Sequence, residues 1–221
     1  MPWNSVETAK ERSVNIGPEG LAGDLVIPRG TRGVVLFAHG SGSSRFSSRN
    51  RFVARVLQEA DFGTLLLDLL TPQEEQVDLR TTHLRFDIRL LAERLLHATR
   101  WLQIDAETKA LPLGYFGAST GAGAALVAAA RLPYAVSAIV SRGGRPDLAA
   151  AQLGEVKAPT LFIVGGRDER VLEWNESAFS QLTCEKRLDI VPKATHLFEE
   201  RGALEKVAQL ARQWFERSLA K

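Results

Sequence analysis

Short, uniformly apolar runs alternate along the chain with longer stretches in which apolar residues recur every three or four positions. Val14 to Ile16 and Leu21 to Ile27 flank the turn residues Gly17-Pro18-Glu19-Gly20, which predicts a short antiparallel pair. Between Gly33 and Gly40 lies VVLFAH, a continuous run suited to a strand buried on both faces. Similar runs predict strands at Thr64–Leu70, Leu113–Gly117, Val136–Ser141, Pro159–Gly166 and Arg187–Val191. Helical spacing appears from Phe52 to Ala60, where Val53, Val56, Leu57 and Ala60 form one stripe. It recurs at Leu84–Leu102, Leu172–Leu182 and Leu204–Leu219, with an Ala-rich piece near Asp147–Leu153 and a helix of small residues at Thr120–Arg131. The least regular stretch, Thr71 to Thr82 (TPQEEQVDLRTT), is polar and predicts a loop or small lid.

This alternation predicts an α/β fold: a mostly parallel central sheet of about eight strands, the first pair antiparallel, with helices on both faces. No repeat, low-complexity tract or long linker divides the chain, so residues 1–221 read as a single domain.

Composition narrows the function classes. The chain has 221 residues, 45% hydrophobic and 24% charged, enough for one large core. A net charge of +2, from 28 basic and 26 acidic residues, gives no reason to expect a nucleic-acid or membrane partner. The lone cysteine, Cys184, excludes an intrachain disulfide and a cysteine-based zinc site and fits a reducing compartment. His39, His83, His97 and His196 are too dispersed to suggest a metal cluster. The opening MPWNSVETAKERSV has no apolar core of a secretory signal, and no stretch reaches membrane-crossing length. The expectation is a soluble, cytoplasmic protein with no metal or organic cofactor.

Open α/β sheets bind ligands outside the carboxyl ends of their strands, and the chemically loaded segments all fall there. The sharpest is Gly117-Ala118-Ser119-Thr120-Gly121, a G-x-S-x-G pattern between a strand and a helix. Such a turn strains the serine backbone, so its neighbours must be small; Gly117 and Gly121 meet that need, and Gly123, Ala124 and Ala125 let the helix lie close to the sheet. The start of that helix also points free N–H groups at developing negative charge. A serine needs a base, and the base an orienting acid. Asp168 and His196, each after a later strand, stand in the order expected for such partners. Asp168 could instead cap the following helix, and Glu169 is its nearest rival.

From His39 to the C-terminus the chain resembles an α/β-hydrolase, close to the dienelactone hydrolase-like branch. HGSGSS, GASTG, GGRDERV and ATHLFEE carry the resemblance, in order. It implies an ester-type hydrolase with Ser119, Asp168 and His196 as triad, a minimal cap, and an oxyanion hole from the backbone N–H groups of Ser41 and Thr120. Dienelactone hydrolases proper carry cysteine where this chain has Ser119, a departure that bears on the substrate while leaving acyl transfer intact.

The reading is therefore a serine hydrolase of small or medium carboxylic esters or lactones. A thioesterase or acyltransferase on the same triad, or a non-catalytic binding protein with the hydrolase fold, are the alternatives. Gly40, Arg142 and Arg145 are candidates for substrate contact, the two arginines for an anionic group. The competing reading pairs these arginines with Glu74 or Asp78. His39 is expected to be structural, Asp68 to line the pocket or cap a loop, and Trp174 and Phe198 to pack in the core or flank the cleft.

Overall fold

A computed structural model describes residues 10–219. Residues 1–9, most of the stretch read above for a leader, lie outside the described residues.

Eight strands form one sheet: β1 (Lys10–Ile16), β2 (Leu21–Ile27), β3 (Val34–Ala38), β4 (Gly63–Leu67), β5 (Leu113–Ala118), β6 (Ala138–Arg142), β7 (Thr160–Gly165) and β8 (Lys186–Val191). The order across the sheet is β1-β2-β4-β3-β5-β6-β7-β8. β2 runs antiparallel to both of its neighbours, and every other pair is parallel. The β1–β2 turn closes on Gly17 and Gly20, both in the left-handed region at φ 72° and 70°.

The apolar runs are strands buried on both faces. In β3, Val34, Leu36 and Ala38 enter one core, while Val35 and Phe37 enter the other. The first core packs against α3 (Ile88–Ile104) and α4 (Thr120–Arg131); the second packs against α1 (Ser48–Gln58) and α6 (Ala203–Leu219). α5 (Glu169–Gln181) lies on the first side, its Ala178 in the same core as α4. No helix among the described residues is long and apolar enough to cross a membrane.

The structure differs from the sequence pattern in four places. The strand expected over Thr64–Leu70 ends at Leu67, because an apolar run reports burial, and buried Leu69 already lies in the loop beyond the sheet. The expected loop over Thr71–Thr82 is a helix, α2 (Pro72–Thr81). Thr71 accepts from the Glu74 N–H at 3.2 Å, and the Glu74 carboxylate accepts from the Thr71 N–H at 2.8 Å, a reciprocal cap reinforced by proline at the start. Asp78 is the one buried residue of α2, so no apolar stripe announced it. The Ala-rich segment after β6 is a run of 3-10 turns over Pro146–Glu155, and another such turn at Leu84–Phe86 precedes α3, which starts at its Asp87 cap.

Parallel strands end at one edge of the sheet. The segments after β3, β5, β6, β7 and β8 therefore meet there, although they are far apart in sequence.

Candidate active site

Between β5 and α4 stands a single residue, Ser119, at φ 50° and ψ −122°. A non-glycine residue there costs about 1–3 kcal/mol and persists only if its surroundings enforce it. They do so through the backbone. The Ser119 N–H donates to the Arg142 carbonyl at 3.2 Å, and the Ser119 carbonyl accepts from the Ala122 and Arg145 N–H groups, both at 3.0 Å. The flanking glycines provide the required space. A Cβ on Gly117 would lie 2.4 Å from Ala122 Cα, and one on Gly121 would lie 2.4 Å from the carbonyl oxygens of both Ala38 and His39.

Asp168 follows β7 and directly precedes α5, yet its side chain caps no N–H of that helix. Its carboxylate lies 2.6 Å from Nδ1 of His196 in the loop after β8. A carboxylate only accepts, so the proton of this bond sits on Nδ1, and in the neutral imidazole that tautomer leaves Nε2 with its lone pair. Ser119 and His196 line the same cavity, together with Gly40, Ser41 and Arg142. The Ser119 hydroxyl has no hydrogen-bond partner among the described residues; such bonds commonly close only once substrate is bound.

The turn after β3 packs onto Ser119: a Cβ on Gly40 would sit 3.1 Å from Ser119 Cβ. His39 braces that turn. Its Nε2 accepts from the Leu69 N–H at 3.1 Å, so Nδ1 carries the proton and donates to the Gly40 carbonyl at 2.9 Å. Burial pushes the imidazole below its ordinary pKa and keeps it neutral. Among the described residues, no acceptor is hydrogen-bonded to the backbone N–H of Ser41 or of Thr120.

The two candidate arginines part company. Arg145 forms a forked ion pair with Asp147, at 2.8 and 2.7 Å, and lies over the Trp174 ring. It is not among the residues that line the cavity holding Ser119. Arg142 lines that cavity and is only 8% exposed, and its guanidinium makes no hydrogen bond or ion pair to a described residue. Burial, and then the nearby Arg49, push its pKa down to about 10. Neither arginine pairs with Glu74 or Asp78, as the competing reading expected: Glu74 pairs with Arg94 at 2.6 Å, and Asp78 with Arg85. Arg49 of α1 also lines the cavity. Sequence reasoning missed it, because a basic residue in the first turn of an amphipathic helix looks like any solvated one.

A second cavity of about 230 Å³ shares Gly40 and Ser41 with the first and is also bounded by His39, Thr120 and, from α2, Glu75, Asp78 and Leu79. Asp68 lines it and is held by the Arg45 N–H at 2.6 Å and by the Arg45 guanidinium. Phe198 is buried in the core on the α1 and α6 side rather than flanking the cleft.

A family model described as the dienelactone hydrolase family matches residues 22–220. The chain belongs to the dienelactone hydrolase family. Among solved structures, a dienelactone hydrolase from Anabaena variabilis is 61% identical, with a TM-score of 0.94 over 96% of this chain and 100% of that one. Est1E from Butyrivibrio proteoclasticus shares the fold, with a TM-score of 0.79 at 15% identity over 96% of this chain and 99% of that one. A Mycobacterium tuberculosis protein provisionally named a phosphoribosyl transferase is 59% identical over 206 residues. That match covers 93% of this chain but only 46% of the relative, so the chain spans about half the length of the curated relatives it matches.

Proposed function

We propose that this hydrolase cleaves small or medium carboxylic esters or lactones through an acyl-enzyme on Ser119. The observation that carries the reading is Ser119 strained at φ 50° in one cavity with a His196 already hydrogen-bonded to Asp168. Ser119 Oγ attacks the substrate carbonyl, and His196 Nε2 takes its proton. The N–H groups of Ser41 and Thr120 receive the oxyanion, and Asp168 stabilises the imidazolium. His196 then gives its proton to the leaving oxygen, which departs as an alcohol, or as the hydroxyl of the opened chain for a lactone. Water, deprotonated by His196, attacks the acyl-enzyme, and the acid leaves as Ser119 is reprotonated. No metal or organic cofactor enters this sequence.

The phosphoribosyl transferase name belongs to relatives of which this chain matches less than half. The strained serine and the Asp168–His196 bond favour acyl transfer for the matched part.

A fluorophosphonate probe tests the reading. Wild-type protein is expected to be labelled at Ser119 and to turn over p-nitrophenyl esters of graded chain length, and Ser119→Ala to do neither. A folded wild type that is inert to the probe, or equal labelling of Ser119→Ala, overturns it.

A further inference from the structure

Arg142 is the last residue of β6, in register with Ala118 of β5, and its carbonyl accepts the Ser119 N–H. Its backbone is thus built into the frame of the serine turn, and the guanidinium hangs from that frame. Strand alternation puts it on the side of Ala138 and Val140, the side covered by α1 and α6. There it meets Arg49 of α1 rather than a carboxylate. Two of its nitrogens, Nε and Nη1, are sealed from solvent with no acceptor, and Nε of Arg49 is in the same condition. A buried charge without a partner is costly, and two like charges side by side are more so. The surrounding charge is sparse. Glu199 reaches Arg49 Nη1 at 3.5 Å from a position 67% exposed, and His196 is engaged by Asp168. Glu199 serves Arg49 from the rim and Asp168 serves His196, so among the described residues no carboxylate is paired with the Arg142 guanidinium. The cavity is about 190 Å³, room for a small group, and Ser119 and His196 are in its wall.

We infer that Arg142 and Arg49 form a subsite for a singly charged oxyanion beside Ser119, and that the preferred substrate carries such a group, a carboxylate or a phosphoryl monoanion, a few bonds from the carbonyl under attack. The subsite rests on the hydrolase reading for the attack but not for the binding. The guanidinium fork suits either oxyanion, and docking gives Arg142 the anionic acceptor it lacks. Arg145 has no part in it, being committed to Asp147 and Trp174.

The test compares mono-4-nitrophenyl glutarate with its methyl ester, which have the same acyl chain with and without the charge. The wild-type ratio of kcat/KM, charged over neutral, is expected to fall at least about tenfold in Arg142→Met and to fall in Arg49→Gln, while Arg145→Ala keeps it. An unchanged ratio in both Arg142→Met and Arg49→Gln overturns the subsite; if Arg142→Met does not fold, Arg49→Gln decides alone. Protection of wild-type protein from the fluorophosphonate, at matched ionic strength, identifies the anion. Glutarate slowing the labelling points to a carboxylate, dimethyl phosphate slowing it points to a phosphoryl group, and no effect of either overturns the subsite. Thermal shift keeps the two readings apart. Glutarate or dimethyl phosphate raising the Tm of wild type but not of Arg142→Met or Arg49→Gln, with no label on Ser119, retains the subsite and removes the hydrolase. A label on Ser119 with no shift does the reverse.

Discussion

Asp168 sits where a helix cap would sit, at the start of α5, but its carboxylate turns away from the helix and accepts from His196 Nδ1 at 2.6 Å. The helix forgoes a cap that is ordinarily worth about 1 kcal/mol. The bond that replaces it sets the tautomer of His196, leaving Nε2 unprotonated on the imidazole that borders Ser119.

Asp168→Asn keeps the size and removes the charge. An amide donating to Nδ1 favours the wrong tautomer and no longer balances the imidazolium. Ester kcat is expected to fall roughly a thousandfold or more, with the Tm changed little, since no helix cap is lost. Stopped-assay kinetics beside calorimetry check this; a loss of less than about tenfold would place the proton relay elsewhere.

Gly121→Val drives a side chain into the carbonyls of Ala38 and His39, which lie 2.4 Å from the nearest Cβ position. These carbonyls are backbone and cannot rotate aside. The variant is expected to lose about 3 kcal/mol or more of stability. Displacing the turn from His39 to Ser41 should also cost the protein that still folds at least about tenfold in turnover. Urea unfolding and active-site titration separate the two effects. Normal turnover in a stable variant would show that the clearance is not needed.

His39 predicts an acid limb of stability. Its folded pKa lies below the ordinary 6.5, because burial disfavours the imidazolium. As pH falls below about 6.5 the unfolded chain binds a proton that the native state refuses, so stability is full above that pH and declines beneath it. The slope contributed approaches at most one proton, about 1.4 kcal/mol per pH unit. His39→Gln, which has no such proton to bind, should flatten the limb between about pH 6.5 and 5 in urea titrations. An equal slope in both proteins would assign the acid sensitivity to another group.

The order of strands and helices was legible because burial on two faces writes itself as runs such as VVLFA and TLFIV, and amphipathic packing as the stripes of α1, α3 and α6. α2 was not, since its stability comes from the Thr71–Glu74 cap and the bonds of Asp78 to Leu84 and Arg85 rather than from an apolar face.

What the sequence determined by itself is the serine turn. Gly117 is confined by Ala122 of the same turn, a local steric requirement visible in a local stretch, whereas the backbone that confines Gly121, at Ala38 and His39, comes from another strand. The tertiary structure alone decided which charges meet. Asp168 finds His196 across adjacent parallel strands, Arg145 takes Asp147 rather than Glu74 or Asp78, and Arg142 is left facing Arg49 from the neighbouring helix. Electrostatic interactions depend on distance in space and on burial. The chain lists its charges in order but does not state which of them the folded chain will shut away from water together.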